Sequence, residues 1–86
     1  MKYVYRIEKK LQKSFLPSHL EVVDESDLHA GHAGARPGGE THFRVVMASS
    51  RFKGMSRVDR DREVYKALKE ELEDRVHALS LRLSVK

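Results

Sequence analysis

Five histidines and no cysteine set what this 86-residue chain can offer as a ligand or catalyst. Imidazole is its soft ligand type, apart from three methionines. Without thiols there are no disulfide staples, no thiol catalysis, no cysteine-based zinc site and no iron–sulfur cluster on the chain's own thiolates. His29 and His32 lie in the glycine-rich stretch 27–40, where backbone freedom lets both rings turn toward one ion. His77 opens an alternating apolar segment, at an edge where one ring nitrogen can be exposed and the other held by a carbonyl. Two or three such side chains bind a divalent metal weakly, or supply two ligands to a centre presented by another molecule. The plainer readings are solvated loop residues for His29 and His32, and a capped, half-buried structural histidine for His77. His19 and His42 read as structural.

Catalysis finds little support. Glu70, Glu71, Glu73 and Asp74 are balanced by Lys66, Lys69 and Arg75, the pattern of a solvated helix face. Asp24 and Glu25 make an acid–base pair only if a cleft encloses them, and a chain this short offers little cleft. No Ser–His–Asp spacing is present, and no phosphate-binding glycine fingerprint precedes a helix. Positive charge gathers at Arg51, Lys53, Arg57, Arg60 and Arg62, around a turn into a helix whose N-terminus can hold phosphate. Asp59 and Asp61 interrupt that cluster, so a mixed-charge helix start is the competing reading. Gly31-His32-Ala33-Gly34 is a literal G-x-x-G, the pattern KH domains use to clamp single strands. There it joins two helices and here it joins two strands, so the match reads as accidental.

The elements that must position these residues follow from spacing. Val4, Ile7, Leu11 and Phe15 recur at helical intervals until Pro17, with lysines on the other faces. Residues 19–26 have strand composition, with Leu20 and Val22 opposite Glu21 and Val23. The stretch 27–40 is a long loop for so small a chain, and such loops are functional or mobile. Residues 41–49 predict a clearer strand, with Phe43, Val45 and Met47 on one face and His42 and Arg44 on the other. Gly54 marks a turn, and Ser56 with Asp59 predicts a helix N-cap. Val58, Tyr65, Leu68 and Leu72 then give helical periodicity, read as a short helix followed by a longer one. Residues 77–85 alternate, Leu79, Leu81, Leu83 and Val85 inward and Ser80, Arg82 and Ser84 outward.

The predicted order is α-β-β-α(α)-β: a two-layer α+β fold in which helices cover the single apolar face of a three-stranded sheet. Hydrophobic residues at 40% suffice for one small core in a single domain over residues 1–86. The formal charge of +4 is uneven. Lys2, Arg6, Lys9, Lys10 and Lys13 make the start basic, and Glu21, Asp24, Glu25, Asp27 and Glu40 make the next stretch acidic. A dedicated duplex-DNA binder has a more one-sided excess. No apolar run reaches membrane-spanning length and no signal-peptide cleavage pattern is present. The expectation is a cytoplasmic protein with no membrane partner, an organellar matrix being the other compartment considered.

Residue order sharpens this. His19-Leu20-Glu21-Val22-Val23-Asp24-Glu25-Ser26, the glycine loop, and Gly39-Glu40-Thr41-His42-Phe43-Arg44-Val45-Val46 closely resemble the BolA-like family. So do Arg51-Phe52-Lys53-Gly54, Arg60-x-Arg62-x-Val64-Tyr65 and Val76-His77-Ala78-Leu79-Ser80-Leu81. The resemblance runs from about residue 19 to residue 83, with a helix ahead of it in the expected place. It implies an α-β-β-α-α-β domain of the class II KH-like type. It further implies a non-enzymatic partner of monothiol glutaredoxins, monomeric alone and heterodimeric with its partner, sharing a [2Fe–2S] cluster. In bacterial members it also implies duplex-DNA binding and transcriptional regulation of morphology and stress response.

By the same resemblance, the family's C-terminal histidine ligand falls on His77. Its loop ligand, a histidine or cysteine, falls on His29, with His32 a close rival. A cluster needs four ligands, and thiolates from a glutaredoxin cysteine and glutathione fill two, so the isolated chain would bind none. Imidazoles in place of thiolates raise the reduction potential and make ligation pH-sensitive. In one place the chain departs from the family, which usually has Arg-His-Arg where this chain has Arg60-Asp61-Arg62. That acid weakens the case for DNA contact there and leaves His29 and His77 untouched.

Overall fold

The computed structural model describes residues 2–29 and 39–86. Helix α1 (Tyr3–Phe15) buries Ile7, Leu11 and Phe15, three of the four apolar residues spaced along its face. It ends at Leu16, which adopts the left-handed conformation at φ 44° and donates its N–H to the Gln12 carbonyl. Pro17 then prevents the helix from resuming.

Strand β1 (His19–Asp24) pairs antiparallel with β2 (His42–Ala48), and β2 pairs parallel with β3 (Ala78–Ser84). The central strand is β2. A parallel partner requires a crossover, supplied by α2 (Arg57–Ala67) and α3 (Lys69–Asp74). Strand β1 is two residues shorter than its composition suggests. The Asp24 carboxylate accepts the Ser26 N–H and bends the chain into a 3-10 turn over Ser26–His29.

Ile7, Leu11, Phe15, Phe43, Val45, Met47, Phe52, Val64, Leu68 and Val76 form one apolar cluster. Phe15 and Phe52 stack at 5.1 Å between ring centroids. The predicted alternation of β2 and β3 holds: Phe43, Val45 and Met47 are buried, and Ser80, Arg82 and Ser84 are exposed. The predicted N-cap holds as well, since the Ser56 Oγ accepts the Asp59 N–H at 3.1 Å.

Three expectations for the helical stretch need correction. The longer helix comes first, and Val58 and Tyr65 are exposed; the buried stripe runs through Val64 and Leu68. The cause is Leu68, whose backbone (φ −104°, ψ 20°) leaves the helical region between α2 and α3. A single periodicity carried across that break selects the wrong face. Nor is Glu71 part of a solvated face. It is fully buried, with Arg6 Nη2 at 2.9 Å and Lys10 Nζ at 2.9 Å reaching it from α1. Those partners lie more than sixty positions away in sequence and are invisible to local charge counting.

Candidate metal centre and basic groove

Thr41 stands at the entry to β2, almost fully buried. Its carbonyl accepts the His77 N–H at 2.7 Å and the Ala78 N–H at 3.2 Å, which fixes the backbone of His77 at the mouth of β3. The imidazole of His77 is exposed, contrary to the half-buried alternative. Beside it lies His42, first residue of β2, with ring centroids 5.4 Å apart and planes tilted by 52°. His42 is only 6% exposed, and its Nδ1 lies 2.8 Å from the Thr41 Oγ1.

Both ends of the glycine loop are tied to this point. Ser26 donates through its N–H and Oγ to the Asp24 carboxylate, and its Oγ accepts the Thr41 N–H at 2.9 Å and the His42 N–H at 3.3 Å. On the returning side Gly39 takes φ +69°, and a β-carbon there would come to 3.4 Å from the Ser26 Cβ. Glycine is therefore favoured by the backbone conformation, the neighbouring Ser26 being at ordinary contact distance. The Gly39 carbonyl accepts from Arg75 Nε at 2.9 Å, and the Glu40 N–H donates to Asp24 at 3.2 Å. Asp24 thus holds loop backbone, while Glu25 lies 3.2 Å from Arg44 Nε, a charge contact without hydrogen-bond alignment. Neither carboxylate is set up for acid–base work.

His29 closes the 3-10 turn that Ser26 anchors. Its side chain, the whole of His32 and the Gly31–Gly34 motif lie outside the described residues. His19 is exposed, 4.0 Å from Glu21. Among the described residues no group of three or more His, Asp or Glu converges to hold an ion. An exposed, backbone-anchored imidazole such as His77 is free to offer a ring nitrogen to a metal.

The arginine cluster divides. Arg57 and Arg60 line a groove of about 380 Å³ between the start of α2 and strand β3, together with Asp61 and Arg82. Val46, Leu81 and Leu83 add aliphatic surface to it. Arg60 is anchored by its Nε on the Met55 carbonyl at 3.1 Å. Arg62 is exposed and lies 3.6 Å from Asp59, and neither it nor Arg51 nor Lys53 lines the groove. Arg82 was legible in sequence only as an outward strand residue. Its place opposite Val46 in the sheet register brings it to α2.

An α-β-β-α-α-β sheet protein with one exposed, braced histidine and an arginine-lined groove is the class defined by these features. The chain belongs to the BolA-like protein family, whose profile it matches over residues 11–86. It is similar to the DNA-binding transcriptional regulator BolA of Escherichia coli, 50% identical over 76 residues that cover 88% of this chain and 69% of that one. Protein BOLA1, chloroplastic, of Arabidopsis thaliana is 49% identical over 78 residues, 88% of this chain and 49% of the plant protein, so the chain spans about half of that relative. Among solved structures the BolA domain of SufE1 from Arabidopsis thaliana aligns with a TM-score of 0.89 at 42% identity, covering 98% of this chain and 92% of that one. Relatives carry regulator or BolA-like names, and some are named for plastids or mitochondria. Among the described residues no helix is long and apolar enough to cross a membrane.

Proposed function

We propose that this chain is a non-enzymatic partner of a monothiol glutaredoxin, with which it shares a [2Fe–2S] cluster for iron–sulfur trafficking or for redox and iron sensing. The observation that carries the reading is His77: an exposed imidazole whose backbone is held by the Thr41 carbonyl. His77 supplies one nitrogen ligand and a residue of the glycine loop, His29 or His32, the second. The Ser26 Oγ accepts the Thr41 N–H, and the Thr41 carbonyl accepts the His77 N–H, which ties the residue before the loop to the backbone of His77 and supports this reading. The cluster, when bound, supplies one-electron chemistry and is itself the cargo that can be passed on. The test is anaerobic reconstitution of a glutathione-loaded monothiol glutaredoxin with and without this protein, read by visible absorption and circular dichroism. A new heterodimer spectrum supports the reading; an unchanged spectrum and mass overturn it.

A second reading, DNA-binding regulation, is favoured by the groove in which Arg57, Arg60 and Arg82 meet. It is supported by the similarity to the E. coli regulator. Its test is binding to duplex DNA across a salt series: a steep fall in affinity with salt supports it, and salt-independent binding sinks it. The two readings are compatible, because the groove is lined by residues other than His77 and the glycine loop.

A further inference from the structure

His42 has the burial of a core residue and the chemistry of a site residue. At 6% exposure its ring lies on the polar face of β2, where its neighbour in parity, Arg44, is half-buried. Its ring is held from one side by the 2.8 Å contact between Nδ1 and the Thr41 Oγ1. On the other side its ring packs against that of His77, at a separation and tilt within the favourable range for aromatic pairs. Thr41 therefore acts twice: its carbonyl fixes the His77 backbone, and its hydroxyl fixes the ring against which the His77 side chain rests. Thr41 is itself fixed through its N–H on the Ser26 Oγ.

We infer that His42 is a positioning residue for His77: the buried ring selects the side-chain orientation in which the exposed imidazole meets the cluster. The inference rests on the shared-cluster reading and names a residue that acts within it. An exposed histidine samples several rotamers and must give up that freedom when it ligates. A ring packed along one side removes part of that cost beforehand. Losing an aromatic pair of this geometry changes the population it holds by about two- to tenfold. The register places the brace where it is needed, since His42 pairs with Ala78, the residue next to His77.

The experiment compares wild type, His42→Phe, His42→Gln and His77→Ala. Side-chain couplings and ring contacts of His77 are recorded by NMR on the metal-free proteins. Pulsed electron paramagnetic resonance of the reduced glutaredoxin heterodimers then reads the nitrogen hyperfine coupling and the spread of g-values. The Phe variant keeps a ring beside His77 and should retain one His77 rotamer and wild-type coupling. The Gln variant keeps polar reach toward Thr41 but lacks the ring. It should show averaged His77 couplings without metal, a shifted and broadened nitrogen signal, and cluster loss to a chelator about two- to tenfold faster. If His42→Gln keeps the wild-type coupling and lifetime while His77→Ala abolishes the signal, His42 only fills space and the inference falls. If the wild-type pair assembles no cluster, the function reading fails and takes the inference with it. The metal-free NMR data separate the two failures, because they report the His77 rotamer whether or not a cluster forms. A thermal melt of each variant excludes global unfolding as the cause.

Discussion

The Lys10 ammonium of α1 lies 2.9 Å from the carboxylate of Glu71 in α3, a side chain with no exposure to solvent. Burial by itself pushes the Glu71 carboxyl up, but the hydrogen bond from Lys10 and further bonds, one of them from Arg6, more than offset it. The net shift is below the ordinary 4.5. Lys10 is raised above its ordinary 10.5, chiefly by its hydrogen bond to Glu71. A lowered carboxyl stabilises the fold above its unfolded value and loses that contribution as the pH falls. A raised ammonium stabilises the fold below its unfolded value and loses it as the pH rises. Stability measured by urea unfolding should therefore be flat near neutrality, decline below about pH 4.5 and decline again above about pH 10.5. Glu71→Gln should cost about 1.5–3 kcal/mol at neutral pH and flatten the acid decline. An unaltered acid limb in that variant would show that another carboxylate governs it.

His77→Ala should remove the visible absorption of the glutaredoxin heterodimer and leave apo-heterodimer formation largely intact. The ring is exposed, and the Thr41 carbonyl accepts the His77 backbone N–H, which alanine retains. Its melting temperature should stay close to wild type. Size-exclusion chromatography with absorbance detection checks both halves, and a coloured His77→Ala complex would place the ligand elsewhere.

The groove makes a graded prediction for nucleic acid. Arg57→Ala and Arg82→Ala should each reduce the slope of log affinity against log salt by about 0.9 if each guanidinium neutralises one phosphate of duplex DNA. Arg62→Ala, outside the groove and 3.6 Å from Asp59, should bind like wild type. Equal losses in all three variants would point to diffuse charge instead of a site.

Leu16 closes α1 with φ 44° while 67% exposed, so its side chain contributes little burial and its β-carbon opposes the left-handed backbone. Leu16→Gly should stabilise the protein by about 0.5–1 kcal/mol, with the denaturant slope unchanged. Lower stability in equilibrium unfolding would mean that the leucine packs more than its exposure indicates.

The apolar spacing of α1, β2 and β3 was enough to predict their faces, because periods of 3.6 and 2 are local consequences of backbone geometry. The Ser56 cap and the stop at Pro17 were legible for the same reason. Ordered motifs from His19 to Leu83 were enough to indicate the family, whose profile matches residues 11–86. Contacts between elements distant in the chain were not legible. Glu71 reads as one acid among many until α1 brings Arg6 and Lys10 onto it. His42 reads as an ordinary outward strand residue until parallel pairing sets it beside Ala78 and its ring against His77. Arg82 joins Arg57 and Arg60 only through the register of β3 and the course of α2. Local periodicity sets which side of an element is apolar, whereas strand register and crossover set which polar groups meet. Those meetings, from Glu71 with Lys10 to His42 with His77, are decided by tertiary structure.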